Sequence, residues 1–291
     1  MFSAKVYETL IDMPRFSLVT ATKGRTSELA HLIASLDEQA IGDYELIVVD
    51  QNEDERLAPV IERSLRKEKI RRLRSSPGIS RARNLGLSLA KGEIIGFPDD
   101  DCWYPLETLK NVSDWFNSNP KYDILCVTSR DSNGERSGNR WHKSSCDLTP
   151  LNVFRTSVSY CCFLRSTQRT RQIQFDQELG LGGSTPYRAS EDTDFILTAM
   201  ARGLRGRFEA KWYIGHPRKD VRNASVTADR TYQYGLGMGR VQKKHGMMTL
   251  WCGFVLYDLL RAALMAALGR RVPASLWYAH GRGLAKAYFA R

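Results

Sequence analysis

Three consecutive carboxylates, Asp99, Asp100 and Asp101, follow a short apolar run and a proline. Adjacent carboxylates repel one another, so a folded protein tolerates them best where positive charge neutralises them. Hard divalent cations such as Mg²⁺ and Mn²⁺ prefer oxygen ligands and usually bridge to substrate phosphates. The run therefore predicts a site for a metal ion and a diphosphate. The structural alternative is an acidic turn that caps the next helix.

A second acidic cluster, Ser190-Glu-Asp-Thr-Asp194, follows a glycine-rich loop at residues 179–187. An apolar helical stripe begins directly after it, at Phe195 and Ile196. Acidic residues suit the first turn of a helix, where the helix dipole favours negative charge. Ser190 is a candidate N-cap for that helix. Taken alone, this cluster is explained by helix capping.

Strand and helix patterns alternate through about the first 130 residues, which predicts an α/β fold with a parallel sheet and helices on both faces. Ligands of such folds bind beyond the carboxyl ends of the strands. Thr22, Asp50 and Asp99–Asp101 all lie at predicted strand ends. The predicted strands cover residues 15–21, 45–50, 70–73, 93–97 and 124–128.

Four apolar stripes with helical spacing lie between these strands and after the last carboxylate. The second half of the chain is less regular: residues 131–149 indicate a long loop or hairpin, 153–165 one or two buried strands, and 211–214 a further strand. The stripes are Leu29, Leu32, Ile33 and Leu36; Leu57, Val60, Ile61 and Leu65; Ala82, Leu85 and Leu89; and Leu109, Val112, Trp115 and Phe116.

The chain has 291 residues, which fits one large domain or one domain with an appendage. Six cysteines without a C-x-x-C pair indicate reduced thiols in a cytoplasmic protein, and no signal peptide is evident. The net charge of +11 predicts an anionic partner. Nucleic acid is not expected, because no nucleic-acid-binding motif accompanies the charge.

The residues after Asp229 are both basic and apolar, which suits an anionic membrane surface. Residues 250–268 carry only two charged residues, Asp258 and Arg261, which could pair at this spacing. We expect a helix in the membrane interface; a spanning helix and a core helix are the alternatives. Residues 273–290 predict a second helix with Trp277 and Tyr288 suited to the headgroup layer.

Five motifs in order resemble the family 2 inverting glycosyltransferases, which have the nucleotide-sugar-binding GT-A fold. The resemblance implies a Rossmann-like domain at 15–235, with a donor half at 15–130 and an acceptor half at 131–235. Residues 1–14 would be an arm and 236–291 a basic amphipathic helical tail. The motifs are Val19-Thr-Ala-Thr-Lys-Gly-Arg25, Glu45-Leu-Ile-Val-Val-Asp50, Gly78-Ile-Ser-Arg-Ala-Arg-Asn-Leu-Gly86, Phe97-Pro-Asp-Asp-Asp101 and Ser190-Glu-Asp-Thr-Asp194.

The resemblance also implies roles for individual residues on the donor side, with Mn²⁺ or Mg²⁺ as the cofactor. Asp50 would hydrogen-bond the nucleotide base, and Asp99 and Asp101 would bracket the metal and the diphosphate. His216 would complete the metal shell, or be structural beside its proline. The implied donor-binding residues are Thr22, Arg25, Asp50, Arg81, Arg83, Asn84, Asp99 and Asp100.

On the acceptor side, the resemblance implies that Asp192 is the general base, with Glu191, Gly182 and Gly183 near the acceptor. A carboxylate within reach can take the proton of an attacking hydroxyl. The glycine-rich loop could close over the acceptor and exclude water. The acceptor would be a glycan or a lipid-linked sugar in bacterial surface polysaccharide synthesis, at the inner face of the cell membrane. The donor base and sugar, the linkage and the oligomeric state stay open.

Two other functions fit parts of the sequence. A nucleotidyltransferase also uses acids and a metal on an α/β sheet, but it usually has a longer glycine-rich basic loop than Thr22-Lys-Gly-Arg25. A non-catalytic, membrane-bound sugar-binding protein would not need the acids at 99–101 and 191–192. Hydrolysis of a nucleotide-sugar donor distinguishes the non-catalytic alternative from a transferase.

Overall fold

A computed structural model describes residues 13–218 and 227–290. The predicted arm at residues 1–14 lies almost wholly outside this part of the chain. Runs of apolar and β-branched residues form most of the strands. The strand predicted at residues 211–214 begins earlier, at Gly206. The strands are β1 (Phe16–Thr22), β2 (Tyr44–Asp50), β3 (Ile70–Arg74), β4 (Ile94–Gly96), β5 (Ile124–Arg130), β6 (Cys146–Asp147), β7 (Cys162–Arg165) and β8 (Gly206–Gly215).

These eight strands form one sheet in the order β3-β2-β1-β4-β7-β5-β8-β6. Pairing is parallel between β1, β2, β3 and β4 and between β5 and β8, whereas β6 and β7 run antiparallel to their neighbours. Thr22 is in register with Asp50 at the carboxyl ends of β1 and β2. The mostly parallel sheet confirms the predicted fold class and gives Thr22 and Asp50 a common edge.

Nine helices connect and follow the strands in the described residues. The predicted stripes of the first and fourth helices are buried, from Leu29 to Leu36 and from Leu109 to Phe116. The helices are α1 (Ser27–Asp37), α2 (Ala58–Glu62), α3 (Ile79–Leu89), α4 (Thr108–Ser118), α5 (Gln168–Arg171), α6 (Glu191–Ala201), α7 (Ala228–Lys244), α8 (Met248–Ala267) and α9 (Arg271–Phe289).

Two of the predicted elements are wrong in detail. The stripe from Leu57 to Leu65 forms only the short α2, and Leu65 is 85% exposed. The Asp37 carboxylate accepts hydrogen bonds from the Ser64 hydroxyl and the Leu65 amide, and so holds this segment outside the helix. Residues 153–165 contain two short 3₁₀ turns before β7 instead of a long strand.

The chain divides into two compact units. The first comprises Met1–Pro77, Arg81–Gln174 and Thr198–Arg218, and contains the whole sheet. The second comprises Gly78–Ser80, Phe175–Leu197 and Lys219–Arg291. Of the predicted domain boundaries, residue 130 lies at the end of β5 and residue 235 lies inside α7.

Within the second unit, α7 and α9 pack with very close backbones. A Cβ added at Gly239 of α7 would overlap the carbonyl oxygen of Leu284 in α9, and one added at Gly283 would overlap the carbonyl oxygen of Tyr232. Gly235, which is close to the His280 carbonyl oxygen, and Gly239 of the sequence Tyr234-Gly-Leu-Gly-Met-Gly239 therefore allow close packing of α7 on α9.

The two charged residues of α8 do not pair with each other, contrary to the possibility left open by their spacing. The Asp258 carboxylate is buried and accepts a hydrogen bond from His280 Nδ1 of α9, at 2.6 Å. The Arg261 guanidinium lies 5.5 Å from the centroid of the Trp277 ring, also in α9. Both charged side chains thus contact α9, Asp258 through a hydrogen bond and Arg261 through an aromatic ring.

The opposite side of α8 is apolar and exposed, with Leu256, Leu260 and Leu264 among its residues. In the described part of the chain, α8 is the helix that is long and apolar enough to cross a membrane, and only 11% of that stretch is buried. Contiguous exposed apolar surfaces are typical of interaction sites.

Candidate active site

The three consecutive carboxylates lie just beyond β4 and are paired with arginines from two other elements. Arg83 of α3 donates to Asp99 Oδ1 at 2.8 Å. Arg25, in the loop after β1, reaches Asp100 Oδ1 at 2.7 Å and Asp101 Oδ2 at 2.8 Å. Two guanidinium groups therefore face three carboxylates.

Asp100 is the most enclosed of the three and points toward the end of β1. Burial raises the pKa of its carboxyl, although hydrogen bonds from Thr22 and Arg25 oppose that shift. Burial lowers the pKa of the Arg25 guanidinium, but attraction and hydrogen bonds from Asp100 and Asp101 outweigh it, so this pKa is raised. Through Thr22 and Arg25, Asp100 thus connects the three consecutive carboxylates to the end of β1 and the loop that follows it.

Asp101 lies beside His216, which follows β8. Asp101 Oδ1 is buried, accepts no hydrogen bond from the part of the chain that the structure describes, and lies 3.4 Å from His216 Nε2. The other ring nitrogen of His216 donates to the Pro217 carbonyl at 2.8 Å, and its ring stacks on Tyr160. An oriented imidazole next to an unsatisfied carboxylate oxygen is a common metal-binding arrangement.

Cys102 adds a sulfur atom to this group, since its Sγ, an Asp101 oxygen and a His216 nitrogen lie within 4.8 Å of one another. Burial raises the pKa of the Cys102 thiol well above its usual range, and the Asp99 charge adds to that effect. Metals bind the thiolate form of cysteine. The oxygen and nitrogen atoms are therefore the better ligands here, and they suit a hard cation better than a soft one.

Asp50 is fully buried at the end of β2, and both of its oxygens accept hydrogen bonds or ion pairs from the protein. Asp50 Oδ1 accepts from the Asn52 amide and side chain at 2.8 Å, and Asp50 Oδ2 lies 2.7 Å from Arg72 and 3.1 Å from Arg74. Asn52 Oδ1 in turn accepts from the Gly24 amide. Contact between Asp50 and a nucleotide base requires one of these partners to move.

Sequence reasoning missed Arg72 and Arg74, although a signal was present. They are two residues apart in β3, which places them on the same face of the strand. In the parallel register, Arg74 lies opposite Asp50. A basic pair in a strand next to a strand-end aspartate could have been recognised as a counter-charge.

The three predicted polar residues of α3 are in different surroundings. Arg81 is exposed and donates to the Ser76 hydroxyl, whereas Arg83 is buried against Asp99. Asn84 is half-buried. Arg83 is thus joined directly to the carboxylate run, and Arg81 remains at the surface.

The predicted acceptor-side residues all belong to the second unit. Gly182 has a φ of +78°, which a glycine adopts without strain. The Ile79 amide donates to the Leu181 carbonyl and the Ser80 hydroxyl to the Leu179 carbonyl, so the loop is held at the start of α3. A Cβ added at Gly183 would meet no atom closer than 3.4 Å.

Glu191 and Asp192 begin α6, directly after a strained residue. Ser190 has a φ of +71°, which is unfavourable for a residue with a Cβ. Asp192 Oδ1 accepts a hydrogen bond from the Thr193 amide at 2.7 Å. Asp194, in the same turn, is buried, and it forms an ion pair with Lys244 and a hydrogen bond with His245 at the end of α7, which the sequence did not predict.

Residues 17–186 match the family model described as glycosyl transferase family 2. An uncharacterized glycosyltransferase of Haemophilus influenzae is 24% identical over 229 residues, which cover 74% of this chain and 72% of that protein. The poly(ribitol-phosphate) beta-N-acetylglucosaminyltransferase TarS of Staphylococcus aureus is 24% identical over 210 residues, which cover 66% of this chain and 34% of TarS.

Solved structures share the fold. The complex of S. aureus TarS 1–349 with UDP-GlcNAc aligns with a TM-score of 0.59 and 20% identity, over 78% of this chain and 66% of that one. The mannosyltransferase PcManGT from Pyrobaculum calidifontis, in complex with GDP-Man and Mn²⁺, aligns with a TM-score of 0.63 and 15% identity, over 94% of this chain and 86% of that one. The predicted GT-A fold is confirmed, and the chain belongs to glycosyl transferase family 2, which makes it a glycosyltransferase.

Proposed function

We propose that this protein transfers a sugar, with inversion, from a nucleotide-diphosphate sugar to a hydroxyl of a glycan or lipid-linked acceptor in bacterial surface polysaccharide synthesis. Family membership and the nucleotide-sugar complexes of TarS and PcManGT support the donor class. TarS, by its name, acts on poly(ribitol-phosphate), which supports a surface polymer as the acceptor. Family membership also disfavours the nucleotidyltransferase and non-catalytic alternatives.

The pairing of Asp101 with His216 is the observation that carries the proposal of a metal-dependent donor site. Arg25 and Arg83 neutralise two of the three carboxylate charges, which leaves one net negative charge at Asp99–Asp101. The buried Asp101 Oδ1 and the adjacent His216 Nε2 can both address one cation. The residues present therefore fit Mn²⁺ or Mg²⁺, held by Asp101 and His216 with Asp99 nearby.

Sugar transfer requires the leaving diphosphate to be stabilised. A divalent cation at this site, when bound, would offset the negative charge that develops on the departing nucleotide diphosphate. Thr22 and Arg25 hold Asp100 and Asp101 in place, and Arg83 holds Asp99. These contacts restrict the carboxylates to one arrangement before the donor binds, which reduces the cost of organising the site.

On the acceptor side we assign the proton-accepting role to Asp192. The acceptor oxygen forms a bond to the anomeric carbon while its proton passes to the Asp192 carboxylate. The bond between that carbon and the diphosphate oxygen breaks, and its electron pair leaves with the nucleotide diphosphate. Asp194 is unsuited to this role, because Lys244 and His245 occupy its two oxygens.

We further propose that the protein is cytoplasmic and binds the inner face of the cell membrane through α8. Its exposed apolar face, with Leu256 and Leu260, would enter the headgroup boundary of an anionic bilayer. Arg270 and Arg271, exposed beyond the end of α8, would contact acidic headgroups.

The transferase assignment is tested by incubating the protein with UDP-, GDP- and dTDP-sugars in the presence of Mn²⁺ and measuring release of the nucleotide diphosphate. We expect release from one donor class and its loss when the metal is chelated. No release from any donor, with or without candidate acceptors, would contradict the proposal. Release that is insensitive to chelation would contradict the metal requirement alone.

A further inference from the structure

One face of α7 packs against the segment that leads to Asp192. Gly237 lies so close to this segment that a Cβ added to it would overlap the Ala189 carbonyl oxygen. Arg240, three residues later, pairs with Glu178 at 3.0 Å, and its guanidinium lies 5.7 Å from the centroid of the Tyr187 ring. Residues spaced by three or four lie on the same face of a helix, so these contacts form one packed surface.

The same face of α7 ends in an ionic cluster around Asp194. The side chain of Asp194 is 1% exposed, and its two oxygens lie 2.9 Å from Lys244 Nζ and 2.8 Å from His245 Nε2. Lys244 also reaches Asp176 at 2.7 Å. Burial alone would lower the pKa of Lys244, but hydrogen bonds and attraction from Asp176 and Asp194 outweigh it and raise this pKa.

Removal of one partner from a buried ion pair leaves an uncompensated buried charge, which strongly destabilises the local arrangement. Asp194 is in the first turn of α6, and its amide donates to the Ser190 carbonyl. The backbone of Ser190 is in the left-handed region, which persists only where the surroundings hold it. The contacts from α7, at Ala189 and at Asp194, lie on both sides of that strained residue.

We propose that Lys244 and His245 are positioning residues for sugar transfer, which act through Asp194 to fix the turn that presents Asp192. This proposal rests on the proposed function, because it assumes that Asp192 accepts the acceptor proton. With this role, α7 supports the residues that carry out transfer. The sequence alone instead predicts a membrane-associating tail for most of this helix. A displacement of about 1 Å in a reacting group can cost 10²-fold in rate.

The first experiment replaces Lys244→Met, which keeps the length of the side chain and removes its charge. We expect kcat for transfer to fall by about 10- to 100-fold, with the KM for the donor within a factor of about two. The matched control is Lys243→Met, which removes the same charge one residue earlier. Lys243 donates to the Ala290 carbonyl instead of to Asp194, so the control should keep normal turnover.

The decisive measurement combines Lys244→Met with Asp192→Asn. If Lys244 acts only by positioning the Asp192 carboxylate, then Lys244→Met should not lower the rate further once Asp192 is replaced. The double variant should therefore turn over at the rate of Asp192→Asn alone. A further loss in the double variant equal to that of Lys244→Met alone would overturn the proposal. Normal turnover of Lys244→Met would also overturn it.

A second pair of variants, both at His245, tests the same proposal if Lys244→Met does not fold. His245→Gln can still donate a hydrogen bond to Asp194 and should keep turnover within a few fold of the wild type. His245→Ala cannot donate, and it should lose kcat with little change in the KM for the donor. Equal turnover in these two variants would contradict the positioning role. Normal turnover of Asp192→Asn would refute the assignment of the base itself, which is a separate outcome.

Discussion

Two roles are open to the Asp192 carboxylate. It can stabilise the first turn of α6 as an acidic residue, or it can act as the base that accepts the proton of the acceptor hydroxyl. Asp192→Asn keeps the size of the side chain and much of its hydrogen bonding but removes its ability to accept a proton. We expect transfer to fall by about 10²- to 10⁴-fold, because base catalysis acts in the transition state.

Donor affinity and melting temperature are the controls for this variant, and both should be nearly unchanged. Steady-state turnover, calorimetric donor binding and thermal unfolding measure the three quantities. Turnover close to that of the wild type would assign the proton transfer to another group, with Glu191 the remaining acid of this turn.

Ser190 allows backbone strain to be separated from the hydroxyl group. Ser190→Gly and Ser190→Ala both remove the hydroxyl, but only glycine adopts a φ of +71° freely. The glycine variant should therefore be the more stable of the two by roughly 1 kcal/mol, measured by urea unfolding. Equal stability of the two variants would show that this turn relaxes without cost.

Individual site residues were predictable where chemistry and strand position agreed. Asp101 and His216 lie close together, because β4 and β8 run in the same direction and end at the same edge of the sheet. Arg72 and Arg74, the partners of Asp50, had a signal in the basic pair of the neighbouring strand. The partners of Asp194 had none, because Lys244 and His245 lie at the end of a helix distant in the chain. No periodicity in either helix indicates which distant side chain pairs with a buried carboxylate.

At the scale of the elements, the amphipathic stripes of α1 and α4 were sufficient to place both helices, since their apolar residues are all buried. The pattern failed at Leu65, where hydrogen bonds to Asp37 redirect the chain. The pattern also did not show that glycines of α7 make close backbone contacts with α9. Helix propensity depends on the sequence of one helix alone, whereas close contacts between two helices also depend on the residues of the partner helix.

Two glycines in the helices of the second unit should respond oppositely to the same substitution. Gly239→Ala places a methyl group against the Leu284 backbone and should destabilise the protein by about 1–3 kcal/mol. Gly253→Ala meets no atom within 4 Å and should stabilise α8 by up to about 1 kcal/mol. Chemical denaturation of both variants measures the difference, and effects of the same sign would contradict the close packing of α7 on α9.

At the scale of the whole molecule, the exposed face of α8 predicts where the protein resides. Leu256→Glu combined with Leu260→Glu should abolish flotation with vesicles that contain acidic lipid, because both side chains are well exposed and charge is costly in the bilayer interior. The control is Leu151→Glu, which places the same charge at a leucine that is 75% exposed in the first unit.

Wild type and control should both float at low salt and less so at high salt, since basic residues supply part of the attraction. Flotation of the double variant at the level of the wild type would exclude α8 as the membrane contact. Association of the wild type that resists both high salt and alkaline wash would indicate a spanning helix instead.

The proposed function depends most directly on metal-dependent binding of a nucleotide diphosphate. Calorimetric titration of UDP, GDP and dTDP with and without Mn²⁺ measures it in the wild type and in Asp101→Asn. The control is Asp114→Asn, at an exposed carboxylate of α4 that pairs with Lys110. We expect Mn²⁺-dependent binding of at least one nucleotide by the wild type and the control, and its loss in Asp101→Asn. Equal Mn²⁺-assisted affinity in all three proteins, or no binding by the wild type, would contradict this expectation.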